Sequence, residues 1–228
     1  MKYRILLADA DGTLFDFHKG EAVAIAGTLE KFGIPVTDES IAAYSRANDE
    51  QWKKLERGET TQARLRVDRF VNFLKAIGHK ADPQEMSDDY VQRLSMQRWP
   101  FAYSQELCRR VSEKMPIYLV TNGIAQIQRS RFGDCTLTPY LSGMVISEEV
   151  GAAKPDPKML FEALKIAGGI AAEEAILLGD SLTADIAAAK NAGVDCILFT
   201  NGKEIPENHT ATWAVKTLEE ACELILQD

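Results

Sequence analysis

An apolar run near the N-terminus ends in two aspartates one residue apart: Leu6, Leu7, Ala8, Asp9, Ala10, Asp11, then Gly12 and Thr13. Side chains at i and i+2 of a strand share a face, so Asp9 and Asp11 start on the same side. The glycine at 12 permits a sharp exit with unusual backbone angles. Two carboxylates this close repel, and one takes up a proton unless a cation compensates them. Carboxylates delivered to the tip of a buried strand therefore call for a partner or a metal ion.

The chain offers candidates for the cation and for an anionic cargo. Residues 177–185, LLGDSLTAD, repeat the pattern: Asp180 leaves a strand and Asp185 sits in the first turn of the next helix. Carboxylate oxygens from separate strand tips suit a hard cation such as Mg2+, which binds through one or two carboxylates together with substrate phosphate. Residues 118–123, YLVTNG, set the Thr121 hydroxyl, the Asn122 amide and a glycine just before a helix. A helix N-terminus with free N–H groups is a natural phosphate site. Lys154 precedes a helix whose start is marked by Asp156 as N-cap and Pro157 at the first position. A lysine held there neutralises anionic charge at the sheet edge. Each fragment alone is an ordinary turn, cap or surface lysine. Their order and their shared place at predicted strand tips make them one constellation.

The elements that would position these groups alternate along the chain. Apolar runs at 3–8, 116–120, 144–146, 175–178 and 196–199 read as strands, and 124–132, 156–167, 182–192 and 218–226 read as helices. Such alternation predicts an α/β fold with a doubly wound parallel sheet, helices on both faces. Ligands bind such sheets beyond the carboxyl ends of the strands.

From about Phe17 to Trp99 only helices are predicted. Ile41, Tyr44, Trp52 and Leu55 form one apolar stripe closed by Gly58; Ala63, Val67, Phe70, Val71, Leu74 and Ile77 form a second closed by Gly78. A third helix starts near Pro83 and ends before Pro100. The expected domains are a core of 1–16 and 100–228 and a helical insertion of 17–99, placed like a lid after the first strand. Asn48 falls in the middle of the first stripe. It reads either as a buried amide bonded to a neighbouring helix or as a polar contact to substrate. Arg57, Arg64, Arg66 and Arg69 read as a solvated face.

Composition narrows the class. A net charge of −8 argues against nonspecific binding to nucleic acid or anionic membrane. No run approaches the ~18 apolar residues of a membrane-spanning helix, and the apolar run at the N-terminus is too short for a signal peptide. Cys108, Cys135, Cys196 and Cys222 show no metal-type spacing. A reduced, cytoplasmic protein with free thiols is expected.

DADGT, TNG, the lysine of KPDP and GDSLTAD together resemble the four motifs of the haloacid dehalogenase-like superfamily, across essentially the whole chain and with a helical cap inserted after the first motif. ADADGTLFDF, ANDEQWKKLERGETT and VISEEVGAAKP are similar to bacterial pyrimidine 5′-nucleotidases that hydrolyse nucleoside monophosphates. Glycine at 12 departs from some of these, which carry an acidic residue there.

The resemblance implies a Rossmann-like core, Mg2+ as cofactor and a small phosphate monoester, such as a nucleotide, as substrate. Asp9 would attack phosphorus and form an aspartyl-phosphate, and Asp11 would act as acid and then base. Mg2+ would bind Asp9, the main-chain carbonyl of Asp11 and Asp180, with Asp185 completing the sphere through water or orienting a neighbour. Thr121, Asn122 and Lys154 would hold the phosphoryl oxygens. The dehalogenase branch typically lacks the second acid, so Asp11 points to phosphatase chemistry. A sugar-phosphate phosphatase or phosphomutase is the alternative reading. A phospho-Asp signalling receiver is a remote one, since it needs no acid two residues past its nucleophile and no insertion.

Overall fold

The structure, a computed structural model, describes residues 2–227. In chain order the elements are β1 (Ile5–Ala8), α1 (Phe17–Lys31), α2 (Asp38–Glu56), α3 (Gln62–Ile77), α4 (Pro83–Leu94), α5 (Ser104–Ser112), β2 (Ile117–Thr121) and α6 (Ala125–Gly133). They continue with β3 (Gly143–Ile146), α7 (Ser147–Val150), α8 (Lys158–Ile166), β4 (Ala175–Gly179), α9 (Ala187–Ala192), β5 (Asp195–Phe199), β6 (Trp213–Val215) and α10 (Leu218–Leu226).

The strands form one sheet in the order β3-β2-β1-β4-β5-β6, every neighbouring pair parallel. The fold is the α/β, doubly wound arrangement that the alternation predicts. Strands covered on both faces read as continuous apolar runs, and here each run divides by period two. Leu6 and Ala8 of β1 join one core with Leu119, Ile176, Leu178 and residues of α5 and α10. Ile5 and Leu7 join the other with Val120, Ala175, Leu177 and residues of α8 and α9. The short strand β6 at the sheet edge was not legible as a run.

Local signals set the helix ends. Thr37 caps α2 in a reciprocal pair with Ser40, Asp82 caps α4 with Pro83 at its first turn, and Thr217 pairs with Glu220 at the start of α10. Among the described residues no helix is long and apolar enough to cross a membrane.

The chain divides into two compact units. One comprises Met1–Asp16, Trp99–Ala125 and Phe132–Asp228; the other comprises Phe17–Arg98 together with Gln126–Arg131. The second unit thus takes in most of α6. Arg131 donates from Nε to the Gln97 carbonyl at 3.0 Å, and Ser130 from Oγ to the Ser95 carbonyl at 3.0 Å.

Inside the helical unit, Tyr44 of α2 packs against Phe70 and Phe73 of α3 and Tyr90 of α4, with ring centroids 5.2, 5.9 and 5.2 Å apart. Two expectations need correcting. The buried face of α3 is Leu65, Arg69, Phe70, Phe73 and Leu74, whereas Val71 is exposed. Arg69 is therefore not part of a solvated face. Its guanidinium lies over the Phe70 and Tyr90 rings, 5.3 and 4.6 Å from their centroids, where it packs like an apolar group.

Candidate active site

The first motif becomes a tight turn at the tip of β1. Asp9 N–H donates to the Leu178 carbonyl at 2.9 Å, extending the pairing of β1 with β4 by one step. The chain then folds back: Leu14 N–H and Phe15 N–H both donate to the Ala10 carbonyl, and Gly12 N–H donates to that of Phe15. Gly12 has φ +92, a region that favours glycine. A Cβ there would lie 2.4 Å from Oδ2 of Asp180. A bare backbone at 12 is what lets the tips of β1 and β4 come together.

The acidic tip of β4 is shaped by an unusual turn. Leu182–Ile186 is one turn of π-helix rather than the start of a regular α-helix. Such turns occur often at functional sites. It swings Asp185 back toward the sheet, where Oδ2 accepts from Ser181 N–H at 3.0 Å. Thr13 donates to Asp180 Oδ1 at 3.3 Å.

Lys154 joins the two tips. Its ammonium donates to Asp9 Oδ1, to Asp185 Oδ1 and to the Val120 carbonyl, each at 2.6 Å, with the residue 1% exposed. Its own backbone is pinned by Asn122. The Asn122 amide donates from Nδ2 to the Lys154 carbonyl at 2.9 Å, and its Oδ1 accepts from Lys154 N–H at 2.7 Å. The buried Thr121 hydroxyl accepts from Gly123 N–H at 3.1 Å. The start of α6 is not an open row of donors, because Ala125 N–H donates to Glu148 Oε2 at 2.8 Å.

The electrostatics follow from this crowding. Burial pushes the Asp9 carboxyl well above its ordinary range; the Lys154 charge opposes this, and the Asp185 and Asp180 charges add to it. Lost hydration, then the Asp185 charge, raises Asp180 as well. Burial alone would lower the Lys154 pKa, but Asp185 and Asp9 outweigh it and raise it.

One carboxylate oxygen each from Asp9, Asp180 and Asp185 lie within 4.8 Å of one another. Three carboxylates face one ammonium, a deficit of two positive charges. The set is all hard oxygen, suited to Mg2+, and the bare backbone at Gly12 keeps the space beside Asp180 open. The donors present therefore fit a divalent cation. The Asp11 carboxylate is not in that group. Asp185 has both oxygens committed, to Lys154 and to Ser181.

Asn48 is also accounted for, within the helical unit. It is 1% exposed, donates to Glu21 Oε1 at 2.8 Å and accepts from Arg69 Nη1 at 3.2 Å. Thr13, Ser181 and Glu148 escaped the sequence reading; of these, Thr13 had a signal, as the next residue after the acidic turn.

Residues 6–199 match the family model described as haloacid dehalogenase-like hydrolase. The chain belongs to the haloacid dehalogenase-like hydrolases. It is similar to the putative hydrolase YfnB of Bacillus subtilis, 30% identical over 96% of this chain and 94% of that one. The solved structure of YfnB, bound to magnesium, superposes with a TM-score of 0.91 at 29% identity over 99% of both chains. Pyrimidine 5′-nucleotidase PynA of Streptococcus pneumoniae is 32% identical over 92% of this chain and 88% of its own. Pyrimidine 5′-nucleotidase YjjG of Escherichia coli is 28% identical over 99% of each chain.

Proposed function

We propose that this hydrolase is a Mg2+-dependent phosphatase that cleaves nucleoside 5′-monophosphates, pyrimidine nucleotides foremost. The observation that carries the reading is the Lys154 ammonium bridging Asp9 and Asp185 beside Asp180. Two relatives named as pyrimidine 5′-nucleotidases, matched over most of their length, support the substrate class.

Lys154 fixes Oδ1 of Asp9 and leaves Oδ2 as the attacking atom. Asp9 attacks phosphorus, the bond from phosphorus to the ester oxygen breaks, and Asp11 gives its proton to the departing oxygen. Asp11 then takes a proton from the water that attacks the aspartyl-phosphate, releasing phosphate and restoring Asp9. Thr121 and Asn122 hold the phosphoryl oxygens, while Lys154, whose three N–H groups go to Asp9, Asp185 and the Val120 carbonyl, supplies positive charge beside them; phosphoryl transfer depends on such positioning and charge stabilisation. Asp9, the Asp11 carbonyl and Asp180 are the groups that would hold Mg2+, which supplies charge neutralisation at the phosphoryl group. Asp185, fixed by Ser181 N–H, orients Lys154.

A phosphate-release assay across nucleotides and hexose phosphates, with and without Mg2+, tests this. Fast, Mg2+-dependent hydrolysis of dUMP or dTMP with little on hexose phosphates is the expected result. The opposite ranking rejects the nucleotide assignment and favours a sugar-phosphate enzyme.

A further inference from the structure

The helical unit buries a chain of charge that the proposed chemistry does not use. Glu21 of α1 is 3% exposed, and Asn48 of α2 and Arg69 of α3 are buried as fully. The Asn48 amide stands between them, donating to Glu21 and accepting from Arg69. Ser45 donates to Glu21 Oε2 at 3.3 Å. Arg69 donates from Nε to the Arg66 carbonyl at 3.2 Å and lies over the Tyr90 and Phe70 rings, but its Nη2 has no hydrogen-bond partner. The carboxylate and the guanidinium are thus joined only through a neutral amide.

Such a bridge is poorly built for an ionised glutamate. A buried carboxylate needs strong donors or direct contact with a cation, and Glu21 has one amide, one hydroxyl and a cation a residue away. The groups facing it are Ser45, Asn48 and Asp49 of α2, the nearby Tyr44 hydroxyl, Arg69 of α3 and Tyr90 of α4. Asp49 adds a like charge. Neutral Glu21 has no such deficit. Its Oε1 still accepts from Asn48, and a protonated Oε2 donates to the Ser45 hydroxyl, which is able to accept.

We propose that Glu21 is a proton-operated switch inside the helical unit, tightening the packing of α1, α2 and α3 when protonated and weakening it when ionised. Burial first, then the Asp49 charge, push its carboxyl up to about 7, against the pull of Arg69, Ser45 and Asn48. The folded unit therefore holds a proton that the unfolded chain, with an ordinary value of 4.5, has released. Stability falls as pH rises through that window, and the full loss is present above it.

Glu21→Gln keeps the shape and the neutral hydrogen bonds without a titrating group. In the full-length protein, it is expected to lower the unfolding equilibrium constant by about a hundredfold or more at pH 8 and by only about a few-fold at pH 5. Comparing each variant with wild type at the same pH cancels the titration of other groups. A 13C titration of the Glu21 carboxyl should give a midpoint near 7, moving upward in Arg69→Met, which removes an opposing positive charge. A midpoint at the ordinary glutamate value overturns the proposal. So does a Glu21→Gln protein equally destabilised at both pH values, because Glu21 would then act as the ionised partner of Arg69.

Discussion

The ammonium of Lys154 lies 2.6 Å from Oδ1 of Asp9, although 145 positions separate the two residues. Neither group is tolerable alone where it sits: each is nearly sealed from solvent, and each supplies the charge the other lacks. The pairing is inseparable from the sheet. Asp9 extends β1, the central partner of β2 and β4, and Asn122 at the end of β2 holds the backbone of Lys154. The loop ends carrying Asp9, Asn122 and Asp180 converge because parallel strands put their carboxyl ends on one side.

Replacing Lys154 by methionine should destabilise the metal-free protein by about 3–5 kcal/mol, because two buried carboxylates lose their shared cation. Turnover should be lost as well. Urea unfolding and a phosphate-release assay on the same preparation check both effects.

Gly12→Ala brings a methyl group to within 2.4 Å of Asp180 Oδ2 and forces an alanine into a positive-φ conformation. Asp180 must move. The expected outcome is a higher Mg2+ requirement and a lower kcat, read by titrating Mg2+ at saturating substrate. Unchanged Mg2+ dependence would separate Asp180 from metal binding.

Chelation should abolish activity reversibly. Added Mg2+ should raise Tm in a concentration-dependent way, since an ion that binds only the folded state stabilises it by mass action. The Tm response should vanish in Asp180→Asn.

Asn48→Ala leaves Glu21 and Arg69 without the amide that joins them. It is expected to cost about 1–3 kcal/mol of stability through unsatisfied buried groups. The ranking of nucleotide substrates should stay as in wild type. A changed ranking with an unchanged Tm would mean that Asn48 reads substrate.

What was legible in the sequence is what repeats with a simple period. Continuous apolar strands ending in polar tips announce a buried parallel sheet, and β1, β2, β4 and β5 follow those runs closely. The motif residues stood out because carboxylates after apolar runs are costly and need a reason. The burial of Arg69 was hidden, since a guanidinium stacked on Tyr90 looks in sequence like any surface arginine. The π turn at Leu182–Ile186 was hidden too: Asp185 within it is held by Ser181 four residues away and by Lys154 from a distant loop, and the second contact has no local pattern. β6 offers only three residues, too few to show a period. Glu148 of α7 carries no sequence signal for its bond to Ala125 N–H at the start of α6.

The central claim is that Asp9 is the nucleophile. The most direct measurement is the turnover of dUMP with Mg2+ by Asp9→Asn protein, purified free of wild-type enzyme, beside Asp11→Asn. The account predicts no turnover above background for Asp9→Asn, and for Asp11→Asn a slowing of ~10²–10⁴-fold, the range general acid–base help supplies, with a trapped phosphoenzyme. Near-normal hydrolysis by the Asp9→Asn protein would contradict it.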